Sequence, residues 1–312
     1  MFSPDGYGAL TERAAVVRRG DRGVLAVTGA DRLTWLQGLL TNDVVALPIG
    51  GVCDAAYLTP QGRMITDLRV FNLSERVLLD VPASLAEPLQ KRLDPLLFSE
   101  DAQIANRSSE LVIVDVHGPQ APAIVEGVGM IRDDAFDVPG FTAFVPSADV
   151  EPFVRTLTAR GALDTTLETL DIVRIEAGRP AFLVDMDEHT IPLEAGIESR
   201  AVSFTKGCYV GQEVIVRITQ RGGGRVSRKL VGIRLSKGTL PAGGELISSG
   251  DREIGRLTSA AWSPAIETGI ALGYVHRDFT ASGTRLNIGT PPAQLSGEVT
   301  PLPFIRRKSA GH

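Results

Sequence analysis

The chain has 312 residues, 43% of them hydrophobic and 22% charged, with a net charge of −5. That is a globular composition, long enough for two or three structural units with sizeable cores, and it excludes disordered and fibrous classes. The acidic balance offers nucleic acid no global field, and no basic patch is interleaved with stacking aromatics.

No apolar run approaches the roughly 20 residues of a membrane helix, so no membrane partner is expected. Met1 to Leu10 lacks the charged and apolar regions of an export signal. Two cysteines, Cys53 and Cys208, make no disulfide framework, and four histidines without HxxxH or HxH spacing predict no metal site. The expected compartment is the reducing cytoplasm.

In chain order, Gly23–Thr28 reads as a buried strand broken by Gly29, after which Asp31 caps a helix carrying Leu33, Leu36, Leu39 and Leu40 on one face. Ala55–Val81 reads as strands, with Thr59-Pro60-Gln61-Gly62 a tight turn. Ser84 is expected to cap a helix bearing Leu85, Leu89, Leu93 and Leu96, and Ser147 another bearing Val150, Phe153, Val154 and Leu157. Leu111–Val116 is a further strand, ended by Gly118. LAVTGADRLTWLQGL and VDVHGPQAPAIVEGV therefore share a strand–Gly–helix pattern, through duplication or through chance recurrence of a common unit. Thr166–Ala177 reads as a helix stopped by Gly178 and Pro180.

From Lys229 onward short strands alternate with Gly and Pro and no helix interrupts them, which predicts a small antiparallel β-barrel or sandwich. The Gly222-Gly223-Gly224 run precedes it as a flexible connection. The chain is thus α+β and then all-β, with the expected boundary between 1–224 and 225–312.

The densest chemical signal is Lys206-Gly207-Cys208-Tyr209-Val210-Gly211-Gln212-Glu213. Two glycines permit a tight loop, and a lysine near the thiol favours thiolate; a structural turn with an inert cysteine is the alternative. Asp185, Asp187, Glu188 and Glu194 cluster within ten residues. They are compatible with a solvated loop, a metal site, or one carboxylate receiving the paired N–H groups of a guanidine-like heterocycle edge. Arg225, Arg228 and Lys229 suit an anionic tail or a charged barrel edge. Asp67, isolated on an apolar strand, suits a general base or a strand-edge charge. GxGxxG is absent, which argues against a dinucleotide fold.

KGCYVGQEV closely resembles the KGCYxGQE signature of the YgfZ family, and RIEAGRPAFLVDMDEHTIPLEAG resembles the folate segment of the glycine-cleavage aminomethyltransferases. GADRLTWLQGLLTNDV and REIGRLTSAAWSPAIETGIALGYV extend the resemblance over nearly the whole chain. It implies a three-lobed aminomethyltransferase-like ring ending in an antiparallel β-barrel. It also implies a tetrahydrofolate-binding accessory protein that supports assembly or repair of iron–sulfur enzymes, with those enzymes or assembly factors as partners. By position, Glu188 would hold the pterin edge, Arg225 the folate tail, and Tyr209 a place beside the cofactor; Cys208 would be the essential thiol. Where the transferases carry paired aspartates this sequence reads Thr66-Asp67. The alternative is a folate-dependent aminomethyltransferase or demethylase, with Asp67 near the reacting amine.

Overall fold

The computed structural model describes residues 2–221, 223–236, 240–290 and 294–307, Arg221 by its backbone alone. Gly222 of the triglycine run lies outside them.

The chain path alternates between two compact units. Unit 1 contains Met1–Leu170 and Glu198–Gln212; unit 2 contains Asp171–Ile197 and Glu213–Arg307. The expected boundary at 224/225 therefore falls inside unit 2, because the stretch from Glu213 onward groups with the barrel, as does the earlier segment 171–197.

Unit 1 carries β1 (Ala15–Arg18), β2 (Arg22–Thr28), β3 (Val52–Leu58), β4 (Met64–Asn72), β5 (Val77–Pro82), β6 (Gln103–Asn106), β7 (Leu111–His117), β8 (Ile131–Arg132), β9 (Gly140–Pro146) and β10 (Leu163–Asp164). They form two sheets, ordered β3-β4-β5-β2-β6 and β10-β1-β7-β9-β8. Val24, Ala26, Phe71 and Leu78 of the first sheet meet Ile113 and Phe144 of the second, with Phe71 and Phe144 edge to face at 4.9 Å. The outer face of the first sheet packs the helices Arg32–Leu39 and Ala86–Leu93 through Trp35, Leu36, Leu89 and Leu93.

The shared strand–Gly–helix pattern is structural. Gly29 and Gly118 both take positive φ, 99° and 129°, and a Cβ on either would strike backbone oxygen, Asp101 O at 2.1 Å and Arg13 O at 2.5 Å. β5 and β9 each run through Val-Pro into a 3₁₀ turn and then a helix. Ser84 and Ser147 sit inside those turns. Neither is the N-cap: the helices begin after Leu85 and Asp149, and Ser147 Oγ donates instead to Ser109 O. A 3₁₀ turn in front of each helix displaces the hydroxyl from the position where capping is possible.

In unit 2, β11 (Arg228–Leu235), β12 (Leu246–Ser249), β13 (Arg252–Ser263), β14 (Thr268–His276), β15 (Arg285–Ile288) and β16 (Leu295–Thr300) close into the expected antiparallel barrel, ordered β11-β14-β13-β12-β15-β16. Ile233, Ile247, Leu257, Val275 and Ile288 fill it. A second cluster, Ile175, Leu230, Ile270 and Leu272, seats the helix Leu167–Glu176 at its C-terminal end. Among the described residues no helix is long and apolar enough to cross a membrane.

Candidate functional site

Each unit carries part of the predicted chemistry. In unit 1 the signature loop is built on Lys206. This side chain is buried, and its ammonium donates to Gln37 O at 2.6 Å, Leu40 O at 2.7 Å and Asn42 O at 2.9 Å. These carbonyls are at or just beyond the C-terminal turn of the helix Arg32–Leu39, where unpaired acceptors and the negative dipole end attract a cation. Desolvation pulls the Lys206 pKa down to about 8, opposed by Asp43 and Cys53. The sequence reading gave this cation to the Cys208 thiol; its three donors are spent on the helix end. The ammonium also lies 5.3 Å from the ring centre of Tyr209, which is buried. Burial pushes that phenol up to about 12, and its hydroxyl has no hydrogen-bond partner among the described residues.

The two loop glycines differ. Gly211 has φ +84°, and a Cβ there would lie 2.5 Å from Thr59 O, so the loop's far end is locked against the 59–62 turn. Gly207 has open space around it and a φ that any residue adopts. The thiol of Cys208 is exposed between these anchors. Cys53, on β3, is half-buried; desolvation, then Asp54, push its thiol up to about 12, which leaves it protonated. Gln212 ends the second segment of unit 1 and Glu213 begins the second segment of unit 2, both at the start of the short helix Gln212–Val216.

Asp67 lies on β4 opposite Ala56. About a quarter of its side chain reaches solvent, yet Oδ1 is sealed and has no hydrogen-bond partner; Arg22 Nη1 stands 3.7 Å away. Desolvation pushes its carboxyl up, against the attraction of Arg22 and Arg200. Its neighbours are better served. Asp80 takes Arg22 Nε at 2.5 Å and Arg69 Nε at 2.6 Å, and Asp115 takes Arg19 at 2.9 Å and the Thr142 hydroxyl at 2.7 Å. Thr66 is buried and donates to the Asp67 carbonyl.

In unit 2 the four clustered acids separate by environment. Asp185 is buried and saturated: it accepts from Arg174 at 2.6 Å, Ala181 N at 3.0 Å, Thr258 at 2.5 Å and Ser259 at 2.6 Å. Asp187 turns the loop by accepting from His189 N and the Thr190 hydroxyl, and these bonds hold it ionised against partial desolvation. Glu188 is exposed, makes no hydrogen bond or ion pair with the described residues, and does not line the cavity below. The position assigned to the pterin carboxylate is thus solvent-facing. Glu194 is the acid of the cluster that the resemblance did not select. It is buried in the one-turn helix Pro192–Ala195 and takes Arg228 Nε at 3.2 Å. The Arg228 guanidinium lies 4.7 Å from the ring centre of Tyr274. Arg225 is exposed. A cavity of about 780 Å³ opens beside Arg228, lined also by Asp187, Thr190, Tyr274 and the apolar Met186 and Leu257. No cluster among the described residues could hold a metal ion.

Comparison with known proteins agrees with this architecture. Residues 8–144 match the family model of the GCVT N-terminal domain, and residues 228–305 match that of the glycine cleavage T-protein C-terminal barrel domain. The chain belongs to the glycine cleavage T-protein-like superfamily. Similar proteins include the aminomethyltransferase of Halothermothrix orenii, 28% identical over 91% of this chain and 86% of that one. The aminomethyltransferase of Listeria monocytogenes is 27% identical over 91% and 84%. A chloroplastic protein of Arabidopsis thaliana named as a transferase is 25% identical over 96% and 73%. The crystal structure of the glycine cleavage system aminomethyltransferase from Bartonella henselae shares the T-protein fold, with a TM-score of 0.88 and 20% identity over 99% of this chain and 92% of that one.

Proposed function

We propose that this protein binds a reduced folate and, through Cys208, supports the assembly or repair of iron–sulfur enzymes in a reducing cytoplasm. The observation that carries the reading is the exposed thiol in a loop pinned by Lys206 at one end and Gly211 at the other, while the second cysteine is kept protonated. One thiol cannot ligate a cluster alone, so Cys208 acts with an external thiol or a partner protein.

The folate reading rests on Glu194. A carboxylate suits the guanidine-like edge of a pterin, and Glu194, buried beside Arg228, keeps one oxygen, Oε1, without a hydrogen bond from the described residues, whereas Glu188 is exposed. Arg225, exposed three residues before β11, is the nearby cation for an anionic tail. Bound tetrahydrofolate would supply a one-carbon carrier. Replacing Glu194 by Gln is expected to weaken binding of 5-formyltetrahydrofolate by about one to two decades in calorimetry. In a strain lacking the protein, a Cys208→Ala copy should fail to restore a cluster-dependent enzyme, and full rescue removes the thiol from the mechanism.

A second reading, one-carbon transfer from an aminomethyl or methylated donor, is favoured by Asp67. Its carboxylate has no hydrogen-bond partner at Oδ1, and about a quarter of the side chain is open to solvent, where a substrate amine could meet it. Formation of methylene-tetrahydrofolate from a panel of donors selects this reading; tight folate binding with no product rejects it.

A further inference from the structure

The cavity on unit 2 has a chemical character of its own. Its lining includes Tyr274, which is 6% exposed and whose hydroxyl lies near Thr190 but makes no hydrogen bond of normal geometry with the described residues. Thr190, beside it, turns its proton to Asp187. Burial pushes the phenol pKa upward, so it remains a donor at any physiological pH. Over the ring lies Arg228, with Nε committed to Glu194 and its two terminal amino groups without partners among the described residues. An unmatched buried hydroxyl costs free energy unless something accepts from it.

The lining therefore offers unspent donors at Tyr274 and Arg228 and one ionised acceptor, Asp187, whose Oδ2 takes no hydrogen bond from the described residues, and the site is not cationic. Arg228 is matched by Glu194 and also faces Asp187. Arg256 is matched by Glu253 at 3.4 Å, and Asp185 by Arg174. An incoming anion would find no free cation and an ionised Asp187 to repel it. An incoming ammonium would be drawn to Asp187 but would face the Arg228 guanidinium and leave the Tyr274 hydroxyl without an acceptor. An uncharged carbonyl oxygen meets neither penalty. Leu183, Val184, Met186, Ile254 and Leu257 supply an apolar wall for the rest of such a molecule.

We propose that this cavity is a binding site for an uncharged amide attached to an apolar group, its carbonyl accepting from Tyr274 and Arg228. The proposal does not rest on the folate reading. Its probe set is N-benzylacetamide with the charged analogues 3-phenylpropanoate and 3-phenylpropylammonium, titrated into the full-length protein by saturation-transfer NMR and calorimetry. The amide is expected to bind at millimolar concentration or better, each charged analogue at least about tenfold more weakly, and Tyr274→Phe should weaken the amide by about five- to tenfold. Val184→Trp, at an exposed rim position, should block the cavity without disturbing the fold. Saturating 5-formyltetrahydrofolate should leave amide binding in place. Equal or tighter binding of the carboxylate, an unchanged affinity in Tyr274→Phe or Val184→Trp, displacement by the folate, or no binding of the amide would each overturn the proposal.

Discussion

Asp67→Asn should stabilise the protein at neutral pH while removing whatever chemistry the carboxylate performs. The substitution keeps the shape and removes a charge whose Oδ1 is sealed and unbonded. Desolvation, with repulsion from Asp54 and Asp80, outweighs attraction by Arg22 and Arg200, so the folded-state pKa lies above the ordinary carboxylate value. The native state then holds the proton more tightly than the unfolded chain. This contribution is fully present below the unfolded pKa, near 4, and is lost as pH rises through the folded value. Above that window the wild type carries the whole penalty of an ionised carboxylate. An unsatisfied buried acceptor costs roughly 1–3 kcal/mol. The attraction of Arg22 at 3.7 Å, a side chain shared with Asp80, offsets part of it. The expected net gain is about 1 kcal/mol at pH 7, or a rise in Tm of roughly 2–4 °C for a protein of this size. Scanning calorimetry from pH 4 to 8 should show the two proteins converging at the acid end and separating above it. A variant less stable than wild type at pH 7 would show that Asp67 is a structural partner of Arg22, and would remove the basis for reserving it for a substrate.

Lys206→Met strips three carbonyls of their shared donor and should cost on the order of 3 kcal/mol, read by urea denaturation. A loss under 1 kcal/mol would contradict the clamp. Gly211→Ala should cost about 2 kcal/mol because it forces a side chain into positive φ against the Thr59 carbonyl, whereas Gly207→Ala should stay within about 0.5 kcal/mol of wild type. Glu188→Gln should leave the folate dissociation constant unchanged, in contrast to Glu194→Gln; the opposite pattern in calorimetry would return the pterin to Glu188. Iodoacetamide at pH 7 should label Cys208 and spare Cys53, a difference that peptide mass spectrometry measures directly.

Much of the fold is legible in local pattern. The barrel follows from short strands punctuated by Gly and Pro. Gly29 and Gly118 mark turns that only glycine accommodates. What local pattern misses depends on contacts far apart in sequence. Lys206 reads as an activator of the adjacent cysteine, but its acceptors lie more than 160 residues upstream, so its role is set by the fold. Glu188 and Glu194 are the same residue type six positions apart, and only burial distinguishes them. Asp80, Asp115 and Arg69 alternate along strands as surface charges do, yet they form a buried ionic ladder facing both sheets of unit 1. Ser84 and Ser147 carry the composition of a cap, and the intervening 3₁₀ turn removes the geometry.

The chain passes between its two units at 170/171, 197/198 and 212/213, so no single cut yields two complete pieces. A fragment beginning at Arg225 would contain every barrel strand but lack Arg174 and Asp185, stranding Ser259 and Thr258 on an uncovered surface. Fusions, split reporters and domain exchanges in this protein must carry 171–197 along with the barrel.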